Sequence, residues 1–201
     1  MIVGSQTLSI SIQKAELKQN SIVQAAETLF LQQGYGVTSM DSIAHEAGVT
    51  KQTVYRYFES KQALFIAIMK GIREKGSAAY IFSSGSVQEE LMGYGKYLLG
   101  FHVQPSALGL YRLMLTEGRN ENLSKVFMNT GPKQVIQPLV EFLRQQYPAL
   151  VEPEFTAQMF VTMALAPRNQ LLIGSKGQLK KSAQNEHIEK VVLLFLKMIA
   201  T

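Results

Sequence analysis

Two capped turns fall within one short span, between Gly34 and Phe58, and that spacing restricts the available folds more than any other feature of the chain. Thr38-Ser39-Met40-Asp41 offers an N-cap hydroxyl with a carboxylate three residues on, a shortened capping box. A brief helical period follows over 40–47, with Ile43, Ala44 and Ala47 inward, and Gly48 ends it. Val49 reads as a turn hydrophobe and Thr50 as the next cap. A second short helix over 51–58 then carries Val54 and Phe58 on its buried side. Upstream, Ile22, Ala25, Ala26, Leu29 and Phe30 recur at spacings of three and four, predicting a helix of about five turns from Lys14 that Gly34 closes. Downstream, Ser60 caps a longer helix through Leu64, Phe65, Ile68 and Ile72.

The same periodicity runs to the C-terminus, and no alternating stretch between turn dipeptides suggests a strand. The expected fold is therefore all-α. Further helices are predicted over 87–102, 106–117, 120–128, 132–147, 153–173 and 185–200, with Pro105, Pro132 and Pro153 at their starts. Pro167 falls inside the 153–173 period, where it removes a hydrogen bond and bends the axis. The stretch 77–86, ending Ser83-Ser84-Gly85-Ser86, reads as a bend or hinge, and 174–177 with 180–185 as the longest loop. Val191 to Leu196 is apolar nearly all round and is expected to be buried, in a dimer interface. Gly93-Tyr94-Gly95 follows no strand, so it reads as helix packing rather than a phosphate loop.

Composition narrows the chemistry. With no cysteine in 201 residues, a disulfide scaffold, a thiolate zinc site and a cysteine nucleophile are all excluded. His45, His102 and His187 lie far apart, without the spacing of a metal motif, and no Ser-His-Asp order has supporting motifs. The reading is of a chain with no metal, no cofactor and no catalytic residues, not an enzyme. Residues 1–13 lack the basic start and apolar run of a secretory signal. The longest uncharged run, 97–111, is broken by His102, Gln104, Pro105 and Ser106, so no membrane helix is expected and the protein reads as soluble and cytoplasmic. The net charge of +5 is concentrated: Gly48 to Lys75 carries six cations against two carboxylates.

Short helix, glycine turn and short helix is the layout of a helix-turn-helix. Stepping about 100° per residue, Gln52 and Arg56 fall about 160° and 200° from Val54, with Thr53 beside them, away from the core. Such a face suits a major groove: Gln pairs with adenine, Arg with guanine, and a Thr methyl meets the thymine methyl. Tyr55 and Tyr57 flank it, positioned for phosphates. Lys51 and Thr50 at the start of that helix, Ser39 at the start of the one before and Lys61 at the start of the next are further backbone contacts, aided by helix N-termini.

The segment from about Gln19 to Ala67 resembles the DNA-binding domain of the TetR/AcrR family of bacterial transcriptional regulators. The resemblance rests on Ala25-Ala26-x-x-Leu29-Phe30, Gly34-Tyr35, Thr38-Ser39-Met40-x-x-Ile43-Ala44, Ala47-Gly48-Val49 and Tyr55-Arg56-Tyr57-Phe58-x-Ser60-Lys61-x-x-Leu64. Gln52 stands where the family usually has glycine or another small residue, which implies a changed base preference. Leu110-Tyr111-Arg112-Leu113, Glu117, Leu123, Phe127 and Gly131-Pro132 are similar to the C-terminal domain of AefR-like members. The resemblance implies a helix-turn-helix domain over 14–60 and a larger helical ligand-binding and dimerisation domain over 61–201. It implies a homodimer on a palindromic operator in double-stranded DNA, a repressor released by a small-molecule inducer.

The second half is rich in aromatic and Met residues, which suits both a core and an adaptable apolar pocket. Tyr97, His102, Arg112 and Gln158 are the polar groups expected to orient a ligand there. Two other readings stay open on the residues alone: a helical small-molecule carrier or enzyme that has lost DNA binding, and a non-specific architectural DNA binder.

Overall fold

Helices make up nearly all the regular structure of this protein, a computed structural model that describes residues 3–76, 80–117, 119, 121–174 and 177–199; no strand occurs among them. Residues 77–79 of the expected hinge, Asn120 at the expected start of a helix, and Ser175 and Lys176 of the expected loop lie outside the described residues. The chain divides into two units, Met1–Arg73 with Leu113–Leu123, and Glu74–Arg112 with Ser124–Thr201.

The first unit holds α1 (Val3–Gln33), α2 (Met40–Glu46), α3 (Lys51–Tyr57) and α4 (Lys61–Gly76). α1 begins at Val3 rather than Lys14. The added stretch is uncharged but contains no proline, and its Ser, Thr and Ile residues each cost a helix only a few tenths of a kcal/mol relative to alanine, about 0.7 at most. The buried residues of this unit include Ile22, Ala25, Ala26 and Phe30 of α1, Ile43 and Ala44 of α2, Val54 of α3 and Leu64, Phe65 and Ile68 of α4, with α2 packed on both α1 and α3. Tyr35 wedges between Phe30 and Phe65, with ring centroids at 5.0 and 5.9 Å.

Capping between these helices follows the expected logic with one shift. Ser39, not Thr38, is the N-cap of α2, and its reciprocal partner is the Ser42 side chain rather than Asp41. Thr38 is buried and donates its hydroxyl to the Gly34 carbonyl at 2.7 Å, which removes it from capping. At the other end of α2, Gly48 takes φ +64°, Gly48 N–H donates to His45 O and Val49 N–H to Ala44 O. That paired closure is a Schellman motif, and it sets the tight turn into α3.

The second unit contains α5 (Val87–His102), most of α6 (Pro105–Glu117) and of α7 (Glu121–Thr130), then α8 (Pro132–Gln146), α9 (Pro153–Ala164), α10 (Ala166–Leu172) and α11 (Lys181–Ile199). α9 packs on α8, α5 and α11, and α11 also lies along α5. α5 and α11 approach closely at Gly95, where an added Cβ would sit 2.7 Å from Ile188 Cγ2. The expected 153–173 helix is two helices. Leu165 separates them, and Pro167 lies in the first turn of α10, where its missing N–H is tolerated. The carbonyl four residues before Pro167, Met163 O, lies 2.9 Å from His187 Nε2 of α11. A carbonyl can only accept, so that ring nitrogen carries the proton. The expected loop over 180–185 is corrected too: α11 already starts at Lys181, and Gln184 folds back to donate to Leu179 O at 2.9 Å.

The described part of the expected hinge, 80–86, is irregular but pinned. Tyr80 Oη donates to Glu90 O and Oε2, Ser83 Oγ to Glu90 Oε1, and Phe82 stacks on Phe142 at 4.3 Å. Small residues give this segment its bend, and a buried carboxylate then fixes it.

Candidate functional site

α3 presents a polar surface because its two apolar residues are spent on the core. Val54 is fully buried and Phe58, its C-cap, nearly so; Gln52 and Arg56 on the opposite side are exposed. Thr53 is half-buried: Thr50 caps α3 by accepting from Thr53 N–H at 3.2 Å, and the two hydroxyls lie 2.9 Å apart. Tyr55 is 47% exposed. Tyr57 is half-buried, with the Arg56 guanidinium 5.2 Å from its ring centroid. The face thus brings together Gln52, Thr53, Tyr55, Arg56 and Tyr57 on one short capped helix.

The flanking candidates are more engaged. Lys51 pairs with Asp41 at 2.8 Å, and that hydrogen-bonded carboxylate raises the lysine pKa, so the cation ties α3 to α2 while remaining exposed. Ser39 uses its hydroxyl as the α2 cap. Lys61 Nζ donates to the carbonyls of Tyr35, Gly36 and Thr38 at 2.6, 3.2 and 2.8 Å and lies 4.4 Å from the Tyr35 ring centroid. Burial pulls its pKa down, with Glu117 acting in the opposite direction. Its three donors therefore hold the connector between α1 and α2. Glu117, the last residue of α6, grips the same connector by accepting Gly36 N–H at 2.9 Å. In the sequence Glu117 enters only through the AefR-like resemblance, because nothing in a one-dimensional pattern pairs it with a residue 81 positions away.

The four expected ligand residues have different surroundings. Tyr97 belongs to an aromatic cluster with Tyr80 and Tyr94, at 5.9 and 6.3 Å. His102 is 4% exposed and meets Tyr111 edge-on at 5.8 Å. Arg112 donates from Nη2 to Leu171 O at 2.7 Å and from Nε to Leu172 O at 3.2 Å, so it closes the C-terminal end of α10. Gln158 lies exposed on α9. A residue with no expected role, Arg168, stacks on Tyr111 with its guanidinium carbon 4.2 Å from the ring centroid. No local pattern signals this contact, because Tyr111 and Arg168 lie far apart along the chain. Among the described residues no group of three or more acidic or histidine side chains is placed to hold a metal, and no helix is long and apolar enough to cross a membrane.

Comparison with known proteins agrees with this architecture at both ends. The profile of bacterial regulatory proteins of the tetR family matches residues 22–68, and that of the AefR-like transcriptional repressor C-terminal domain matches 89–200. The HTH-type transcriptional regulator RutR of Escherichia coli K12 is 42% identical over 55 residues, 27% of this chain and 26% of RutR. The HTH-type transcriptional activator FasR of Mycolicibacterium smegmatis is 36% identical over 53 residues, 26% of this chain and 24% of FasR. The chain thus aligns with about a quarter of the length of these curated relatives. Over nearly its whole length it is similar to the solved flavonoid-responsive regulator FrrA, with 30% identity, a TM-score of 0.74, and coverage of 90% of this chain and 96% of that one. A helix-turn-helix built on α2 and α3, continued by a helical second unit that matches a repressor C-terminal domain, makes this chain a member of the tetR family of bacterial regulatory proteins.

Proposed function

We propose that the protein is a dimeric, sequence-specific DNA-binding regulator that lies with α3 in the major groove and leaves its operator when the second unit takes up a small molecule. The observation that carries this reading is the division of labour on α3, with Val54 and Phe58 buried and Gln52 and Arg56 exposed between two tyrosines. Gln52, Thr53 and Arg56 read bases; Tyr55, Tyr57, Lys51, Thr50 and Ser39 position the backbone. Lys61 acts by holding the connector and so the pose of α2. Two copies would address the half-sites of a palindrome about 34 Å apart. The exposed apolar residues Leu193, Leu194 and Met198 on α11 support pairing of two chains through that helix. FrrA, described as flavonoid-responsive, supports control by a small molecule.

The test is a salt series on DNA from the protein's own promoter region and on random DNA. The expected result is tighter binding to the promoter fragment at every salt concentration, with a shared steep salt dependence. Gln52→Ala and Thr53→Ala should each relax discrimination at particular base pairs, by about 1–3 kcal/mol per lost contact, whereas Tyr57→Phe and Lys61→Ala weaken all sequences alike. Absence of binding at low salt overturns the reading. Binding with no preference would instead mark an architectural DNA binder.

A further inference from the structure

Arg112 and Arg168 make an instructive pair. Arg112 offers the Nε and Nη2 edge of its guanidinium to two carbonyls, those of Leu171 and Leu172. The Arg168 guanidinium carbon lies over the Tyr111 ring, 4.2 Å from its centroid, and Nε is buried with no hydrogen-bond partner. Among the described residues no carboxylate pairs with it. Next to it His102, 4% exposed, also keeps a buried ring nitrogen, Nδ1, without a partner. Rings surround the two groups: Phe101 lies 5.0 Å from His102, and Tyr111 meets His102 at 5.8 Å and Phe127 at 5.5 Å, both edge-on. All five residues belong to the second unit.

Buried polar atoms are satisfied in the great majority of cases, and an unmatched guanidinium N–H is among the costlier exceptions. The edge containing Nε is one of the two that receive a carboxylate in bidentate fashion. An unmet imidazole nitrogen supplies a second polar contact beside it, and the rings supply flat apolar surface. We propose that Arg168, His102 and Tyr111 form a binding site for a small aromatic carboxylate, whose anionic group accepts from Arg168 Nε–H while its ring packs among Phe101, Tyr111 and Phe127. This names the ligand class for the ligand-responsive reading above and rests on it for its regulatory meaning. Burial, with the Arg168 cation adding to it, holds His102 neutral, so the cluster carries one net positive charge for one anion.

Benzoate is the probe, with benzamide as its neutral isostere, titrated calorimetrically into the full-length protein. We expect saturable benzoate binding with a dissociation constant of about 1 mM or tighter, and benzamide at least about tenfold weaker. Arg168→Gln should weaken benzoate by at least about tenfold while leaving benzamide unchanged. The wild-type protein gives a readout that does not depend on how that variant folds: the Arg168 Nε–H resonance should shift with benzoate and not with benzamide. No saturable benzoate binding, equal binding of the two probes, or an unmoved Arg168 signal overturns the proposal. A parallel promoter-DNA assay separates the two readings. Benzoate that binds at Arg168 but does not alter DNA affinity sustains the site and defeats its regulatory role; release by neutral aromatics alone does the reverse.

Discussion

His102 stays neutral in the folded protein because burial removes it from water and the Arg168 cation opposes a second positive charge, pushing its pKa down to about 3 from an ordinary 6.5. The consequence for stability has a definite sign. Well above pH 6.5 neither folded nor unfolded chain protonates this ring, and it contributes no pH dependence. Between 6.5 and about 3 only the unfolded chain takes up the proton, so stability falls as the solution is acidified. The limiting slope is about 1.4 kcal/mol per pH unit. Chemical denaturation across this range should show that decline, and His102→Phe should remove its His102 share; an unchanged profile would mean that the ring charges without penalty. Lys61 shows a different residue-scale lesson. Its motif position suggests a phosphate contact, and three backbone carbonyls hold its ammonium in the folded chain.

At the scale of elements, the contact between α5 and α11 depends on a missing side chain. A Cβ on Gly95 would press on Ile188 Cγ2 at 2.7 Å, and Ile188 is fully buried, so the two helices would have to separate. Alanine gains up to about 1 kcal/mol of helix propensity over glycine, but overpacking a tight core costs about 1–3 kcal/mol. Gly95→Ala should therefore be net destabilising, lowering the thermal midpoint by a few degrees, whereas the same substitution at Gly71, with open space around it, should be neutral or stabilising. Equal effects at both sites would refute the packing argument. Pro138 and Pro167 also differ by context. α8 continues through Pro138, whose carbonyl four residues back belongs to the exposed Gln134 and can meet water. The Met163 carbonyl before Pro167 finds His187 instead, and there the helix divides.

For the whole molecule, the division of α11 between core and surface is decisive. Val191, Val192 and Phe195 are buried within the chain, while Leu193, Leu194 and Met198 are 47%, 62% and 46% exposed. The run was expected to be buried throughout; within one chain half of it is, and the rest is available to a second copy. Leu194→Glu should leave the fold intact, since the side chain already faces outward, and should shift sedimentation from dimer to monomer. Because each half-site then binds alone, operator affinity should drop by about 10²- to 10⁴-fold. A variant that remains dimeric would place the pairing surface elsewhere.

The amino-acid sequence determined the helical class, the two short helices with their glycine turn, most helix boundaries and the outward residues of α3, because caps, turns and periodicity act over three or four positions. It carried the family resemblance for the same reason: small residues at fixed offsets are local constraints. Whether a polar side chain is free or engaged depends on partners that local pattern does not encode. Lys61 and Arg112 proved to be bound to backbone carbonyls, Glu117 reached a glycine far upstream, and Arg168 emerged against Tyr111. Only the tertiary structure decided these, since hydrogen bonds and burial follow proximity in space rather than along the chain.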